Sequence, residues 1–115
     1  MKYLRMIRAD EGARAAETES AAAEMLAAYG AYAGAMAQAG VMRGGERLRP
    51  TAAATTVRVR SGKTEVLNGP YADTREQLGG YFLIEVPDLD AALQWAAPCP
   101  GAAHGAFEVR PIWPM

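Results

Sequence analysis

The side chains able to hold or act on a small molecule are concentrated between Asn68 and Tyr81. Asn68 offers an amide, Gly69 an open backbone, Asp73 and Glu76 carboxylates, and Tyr71 and Tyr81 phenolic hydroxyls. These are the groups a pocket wall needs to orient a polar ligand and move a proton. If chemistry occurs there, Asp73 and Glu76 are the acid/base candidates. The same stretch also reads as a turn bonding its own backbone, with Gly69 fixing the geometry and Thr74-x-x-Gln77 capping one helical turn. The residues leave both readings open. Positive charge gathers just upstream, at Arg43, Arg47, Arg49, Arg58, Arg60 and Lys63, opposed there by Glu46 and Glu65. Arg58 shares a predicted strand face with Arg60, so it could orient a small-molecule anion through paired N–H groups, although arginines on a solvated sheet edge are ordinary. His104 has no nearby carboxylate before Glu108, and Cys99 sits between Pro98 and Pro100 without an activating motif, so both read as packing or surface residues. With 1 cysteine and 1 histidine a protein-only zinc site would need further carboxylates, and no spacing suggests one. Gly79-Gly80 precedes a strand, whereas a phosphate-cradling loop needs a following helix. Neither a metal nor a cofactor is implied.

The elements that must position these groups follow from periodicity. Lys2–Arg8 is apolar on both alternating faces, with Arg5 as the main interruption, and reads as a strand covered on both sides. Asp10–Glu19 is a polar, alanine-rich connection into a helix over Ser20–Ala39. In that helix Met25, Tyr29, Tyr32 and Met36 form one stripe, widened by Leu26 and Ala33, with Thr18 or Ser20 as cap and Gly40 as terminator. Gly30 and Gly34, one turn apart, suggest a flat strip packed against a sheet. Val41–Arg49 has strand character, and its Gly44-Gly45 suggests a bulge or close backbone approach. Thr55–Asn68 reads as a β-hairpin around Ser61-Gly62, with Val57 and Val59 on a half-buried face. Tyr81–Val86 is the best central strand. Asp88 caps a second helix whose Leu89, Leu93 and Ala96 share a face, Pro98–Gly101 ends it, and Gly105–Ile112 closes the chain as a strand with Phe107 and Val109 inward.

This order, β-α-β…β-α-β with an extra hairpin strand, fits an α+β ferredoxin-like sandwich with helices on one face of an antiparallel sheet. The first strand and Tyr81–Val86 are apolar on both faces, so the bare face needs a cover, and a second copy of the chain is the simplest one. A homodimer is expected.

The 115 residues suit a single domain over 1–115, and a chain of this length buries enough apolar surface to fold without metals or disulfides. Twelve basic against 13 acidic side chains, net -1, argue against nucleic acid as a partner. No apolar run is long enough to span a membrane, and Met1–Arg8 is too short for a secretory leader. One cysteine suits a reducing compartment, and a cytoplasmic location is expected.

The run Asn68-Gly69-Pro70-Tyr71-Ala72-Asp73-Thr74-Arg75-Glu76-Gln77-Leu78-Gly79-Gly80-Tyr81-Phe82-Leu83-Ile84-Glu85 resembles the YCII-related family in its DGPF-domain branch. The resemblance extends over Thr55–Arg60 with Gly62-Lys63, over Pro87–Ala92 and over Val109–Ile112, and so covers most of the chain. It implies a ferredoxin-like subunit in a dimeric α/β barrel and a cytoplasmic bacterial protein of largely unassigned function. Some relatives are associated with alternative sigma factors. The branch's motif begins with aspartate and ends with phenylalanine, where this chain has Asn68 and Tyr71, and Asp73 stands where glutamate is usual. A histidine–aspartate pair has been put forward as catalytic in related proteins, and His104 matches no such position. The expectation is therefore a homodimeric protein with a small-molecule-binding or catalytic cleft near Asn68–Tyr81. A non-enzymatic protein-interaction module in a sigma-factor context is the alternative.

Overall fold

The computed structural model describes residues 1–114. Its strands are β1 (Lys2–Ala9), β2 (Met42–Arg47), β3 (Thr55–Arg60), β4 (Lys63–Asn68), β5 (Gln77–Glu85) and β6 (Gly105–Pro111). Its helices are α1 (Glu11–Ala15), α2 (Glu19–Gln38) and α3 (Leu89–Ala96), with 3₁₀ turns at Thr51–Ala53 and Pro100–Ala103. Four strands form one sheet in the order β2-β5-β1-β6, every neighbour antiparallel, and β3-β4 stand apart as a two-stranded sheet. The chain is thus a mixed α+β protein. β1 and β5, apolar on both faces, hold the two central places, as expected of strands that need cover on both sides.

One face of the sheet meets the helices. Tyr3, Arg5 and Ile7 of β1 and Gly80, Phe82 and Ile84 of β5 are buried there, against Tyr32 and Met36 of α2 and Ala92 of α3. The other face carries Leu4 opposite Leu83 and Met6 opposite Tyr81, flanked by Glu108 and Arg110 on β6 and by Glu46 on β2. Among the described residues no helix packs over that stripe, and its side chains stay only half-buried.

Thr18 caps α2 by accepting from the Ala21 amide at 3.1 Å. Gly40, at φ +74°, ends it, with the Gly40 amide donating to Ala37 and that of Val41 to Met36, both at 3.1 Å. The stripe of Met25, Tyr29, Tyr32 and Met36 faces the sheet, while Leu26 stays exposed at the margin of the gap between helix and sheet. Gly30 and Gly34 also face open space, contrary to the expected packing strip. Each lies two residues from the buried Tyr32, about 200° around the helix and so on its far side. In α3, Asp88 caps as expected, at 2.9 Å from the Ala91 amide. Ala92 and Trp95 take the core side, leaving Leu89 and Leu93 partly exposed on the flank.

Three further expectations are corrected. Asp10 caps a short helix, α1, where a plain connection was expected, accepting from the Gly12 and Ala13 amides. Thr74–Gln77 makes no helical turn, because the Thr74 hydroxyl donates to the Glu76 carbonyl at 2.8 Å and Gln77 already begins β5. The hairpin has its predicted tight turn, with Ser61 and Gly62 at φ +50° and +75°. It nevertheless adds no strand to the main sheet, and Val57, Val59 and Val66 are 62%, 64% and 63% exposed. A lone two-stranded ribbon is marginal in water, so this one needs a neighbour.

The subunit is accordingly spread out. Its radius of gyration is 16.0 Å, where a compact chain of this length has about 13 Å. Its accessible surface is 8027 Å², against about 6,100 Å² for a compact monomer of its mass.

Candidate functional site

Between α2 and the helix-facing side of the sheet lies a cavity of about 670 Å³, within the range of small-molecule sites. Its floor is Ile7, Gly45, Gly80 and Phe82, and its roof is Ala22, Ala23, Met25, Tyr29 and Ala33 of α2. Small residues face small residues there, and that is why the space stays open. The glycines are set by strand contact. A Cβ on Gly45 would fall 2.7 Å from Phe82 Cδ1, and one on Gly80 would fall 2.8 Å from the Glu46 carbonyl oxygen. The β2–β5 register also slips between Met42 and Gly44, the irregularity that Gly44-Gly45 suggested.

Hydrogen bonds between distant segments frame the mouth. The Glu11 carboxylate accepts from the Thr51 amide at 2.8 Å and the Thr51 hydroxyl at 2.7 Å. The Glu11 amide donates to Gln77 Oε1 at 2.9 Å, and the Leu48 amide to the Gly79 carbonyl at 2.9 Å. Arg14, Arg47 and Arg49 line this mouth, with Glu17 and Glu46 as the acidic groups besides the engaged Glu11. Three arginines and three glutamates balance in charge at this rim, so an anion arriving there is met by individual guanidinium groups and not by a net positive field.

Behind the cavity lies a buried polar cluster. Arg5 is 0% exposed. Its Nη1 donates to the Tyr32 hydroxyl, which donates in turn to the Trp95 carbonyl. Its guanidinium lies 5.0 Å from the Tyr32 ring centre, 5.0 Å from that of Phe82 and 5.5 Å from that of Phe107. The Nε and Nη2 atoms of Arg5 and the hydroxyl of Tyr29 are buried without a partner among the described residues. Burial pushes the Tyr29 hydroxyl pKa well above its ordinary value, with the neighbouring Cys99 adding to the rise and Arg14 and Arg5 opposing it. Burial raises Tyr32 as well, against the pull of Arg5. Both therefore stay protonated at neutral pH. In the sequence Arg5 reads as the interruption of a strand covered on both faces. The signal was present there, because a cation at such a position must either be paired or be used.

The structure divides the predicted site residues. Gly79, Gly80 and Tyr81 form part of the cavity wall and Gln77 part of its mouth. Asn68, Gly69, Tyr71 and Arg58 belong to the hairpin and its base, away from the cavity. There the Arg58 guanidinium lies 5.3 Å above the exposed Tyr71 ring, and Gly69, at φ +108°, bonds Ala54 and Thr56. Asp73 is exposed and Glu76 half-buried on the following loop, and neither lines the cavity. That loop is tied to the mouth, because Gln77 Nε2 donates to the Thr74 carbonyl at 2.6 Å. Cys99 is buried and His104 exposed. Among the described residues no group of three His, Cys, Asp or Glu side chains could hold a metal, and no helix is long and apolar enough to cross a membrane.

The YCII-related domain model matches residues 1–115. The chain belongs to the YCII-related family. An uncharacterized protein of Rhizobium meliloti (strain 1021) is 47% identical over 68 residues, covering 57% of this chain and 55% of that protein. The chain thus matches about half the length of that relative. Among solved structures, the YCII-related chain is similar to the 5-chloro-2-hydroxyhydroquinone dehydrochlorinase of Burkholderia phenoliruptrix AC1100, solved in complex with 2,5-dihydroxybenzoquinone. That likeness has a TM-score of 0.57 at 16% identity and covers 98% of this chain and 94% of that one. At such identity the shared property is the fold.

Proposed function

We propose that this YCII-related protein is a homodimer that binds a small anionic ring compound in the cavity between α2 and the sheet. The observation that carries the reading is the cavity itself: a largely apolar interior roofed by Tyr29 and the alanines of α2, with Arg14, Arg47 and Arg49 among the groups around its mouth. Sites that orient small molecules have this composition. The dehydrochlorinase supplies a fold-level analogy, since its ligand is a ring bearing acidic oxygens. Asp73 and Glu76 act, in this reading, as acid/base groups carried by the loop that Gln77 ties to the mouth, with Arg58, Asn68, Gly69 and Tyr71 as an outer rim completed by dimerisation.

The strand order β2-β5-β1-β6, with each helical crossover skipping one strand, supports a ferredoxin-like subunit. The uncovered stripe of Leu4, Met6, Tyr81 and Leu83 supports a dimer closed sheet to sheet. So does the surface excess of about 1,900 Å² over a compact monomer, the scale of a stable interface. A protein-interaction role in a sigma-factor context would draw on the exposed hairpin valines, which a second copy accounts for equally well. We place the protein in the cytoplasm, in keeping with its lone thiol.

The test is thermal unfolding with 2,5-dihydroxybenzoquinone on the wild type and on Ala23→Phe, which places a ring in the cavity from an exposed helix position. Ligand at 100 times its Kd adds about 2.7 kcal/mol, a rise of roughly 10 °C for a domain of this size. Wild type should shift and Ala23→Phe should not. Equal behaviour of the two refutes the cavity. Asp73→Ala should keep the shift and lose any turnover.

A further inference from the structure

Arg5 presents a physical contradiction that the subunit alone does not resolve. A guanidinium always carries its charge, and a fully buried one is normally matched by a carboxylate. Among the described residues Arg5 forms no ion pair, and its one side-chain hydrogen bond goes to the neutral hydroxyl of Tyr32. The aromatic rings of Tyr32, Phe82 and Phe107 offset part of the lost hydration. They leave the Nε–H and Nη2 donors, one whole edge of the fork, facing no acceptor. The nearby hydroxyls cannot serve as counter-ions, since burial holds both Tyr29 and Tyr32 in their neutral form. The missing negative charge must therefore come from outside the chain.

The way in is through Phe82. Its ring belongs to the cavity wall and also lies 5.0 Å from the Arg5 guanidinium, so one aromatic ring stands between the cavity and that group. Tyr29 stands across from it in the cavity roof, with its hydroxyl turned toward Gly101.

We propose that Arg5 is the anion-binding residue of the cavity, its Nε–Nη2 edge receiving the carboxylate or acidic enolate oxygens of a planar ligand that enters past Phe82 and Tyr29. The inference deepens the cavity reading and rests on it. The Phe82 ring turns aside to admit the anionic end. The guanidinium fork then binds two oxygens side by side. Arg5 thereby selects charged over neutral ligands of the same shape, because only the charged one repairs the unpaired cation.

The experiment compares benzoate with its neutral isostere benzamide, using melting temperature and Trp95 fluorescence in a Trp113→Phe background. Trp95 reports on the site because its carbonyl accepts from the Tyr32 hydroxyl that Arg5 engages. Arg5→Met keeps the length and removes the charge. It should leave the free protein no less stable, since removing an unpaired buried charge is neutral or stabilising. It should also weaken benzoate about 10- to 100-fold, abolish the benzoate-induced Trp95 change, and leave benzamide unaffected. Arg5→Lys should recover part of the benzoate affinity. The proposal is overturned if wild type and Arg5→Met respond identically to benzoate, whether both bind it or neither does. It is also overturned if Arg5→Met unfolds readily yet, when folded, binds benzoate as before, which would make Arg5 a purely structural bridge to Tyr32. Ala23→Phe separates the two readings. If it blocks both probes while Arg5→Met blocks neither, the cavity stands without Arg5, and if it blocks neither, the cavity reading falls on its own account.

Discussion

Replacing Tyr32 by phenylalanine isolates the polar link that holds Arg5 under the helices. The substitution preserves the ring, and with it the edge-on contacts to Phe82, at 5.8 Å and 72°, and to Trp95, at 6.4 Å and 66°. What disappears is one hydroxyl that accepts from Arg5 Nη1 and donates to the Trp95 carbonyl. Each buried group left unpaired costs about 1–3 kcal/mol, with the charged donor toward the upper end, so the total loss should be about 2–5 kcal/mol. In urea that lowers the unfolding midpoint by more than about 1 M. The assay is urea denaturation at fixed protomer concentration, because dimerisation would make stability concentration-dependent. The same substitution in an Arg5→Met background should cost only the Trp95 share, leaving a coupling energy of at least about 1 kcal/mol. A single-variant loss below about 0.5 kcal/mol, or costs that simply add, would refute the link.

Alkaline pH should weaken the fold through Tyr29 and Tyr32. Their folded pKa values are raised above the ordinary value of 10.0, so the stability they contribute is complete below about pH 10 and lost as pH climbs towards the folded values. Urea midpoints between pH 7 and 11 should show this fall, and Tyr29→Phe should make it shallower. Gly30→Ala and Gly34→Ala should each raise stability by about 0.5–1 kcal/mol, since a Cβ at either meets open space. Gly45→Ala should lower it by about 1–3 kcal/mol, because its Cβ would strike Phe82 and the Tyr81 carbonyl; calorimetry ranks the three. Leu83→Glu, at the centre of the bare stripe, should convert a dimer to a monomer by analytical ultracentrifugation with its circular dichroism spectrum retained.

Elements whose own residues carry the instruction were legible in the sequence. The α2 stripe, the Gly40 stop, the Asp88 cap and the Ser61-Gly62 turn are local effects of period, side-chain acceptors and positive φ, and each stands where expected. The misread features depend on what lies across from them. The valines of β3 alternate as a half-buried strand should, yet whether their face is covered is decided by another surface. Leu89 and Leu93 share a face with period enough to suggest a core, but Trp95 needs more room and takes that side with Ala92. The site followed the same rule. Asn68–Tyr81 is dense in polar groups, whereas the cavity's opening depends on Ala22, Ala23, Ala33, Gly45 and Gly80, residues with no chemistry of their own.

The cavity's position follows from how α2 is loaded. About 30 Å long, the helix spans most of the sheet, but its buried anchors, Tyr32 and Met36, lie in the C-terminal half. The N-terminal half offers the gap alanines together with Met25, Leu26 and Tyr29, none of them fully buried. A helix so unevenly anchored would be expected to tilt inward and close the gap, since an unfilled apolar space forfeits contacts on every wall. The frame around the mouth opposes that collapse. Glu11 joins α1 to the Thr51 turn and to Gln77, and the Leu48 amide joins the end of β2 to Gly79. These bonds set the distance between the α1–α2 corner and the sheet independently of what lies between them. Filling the space with leucines would have been the simpler route to stability, and the chain instead places small residues on both walls and spends a half-buried carboxylate on the brace. That arrangement is intelligible if the missing contacts, like the missing counter-charge of Arg5, are supplied by a ligand.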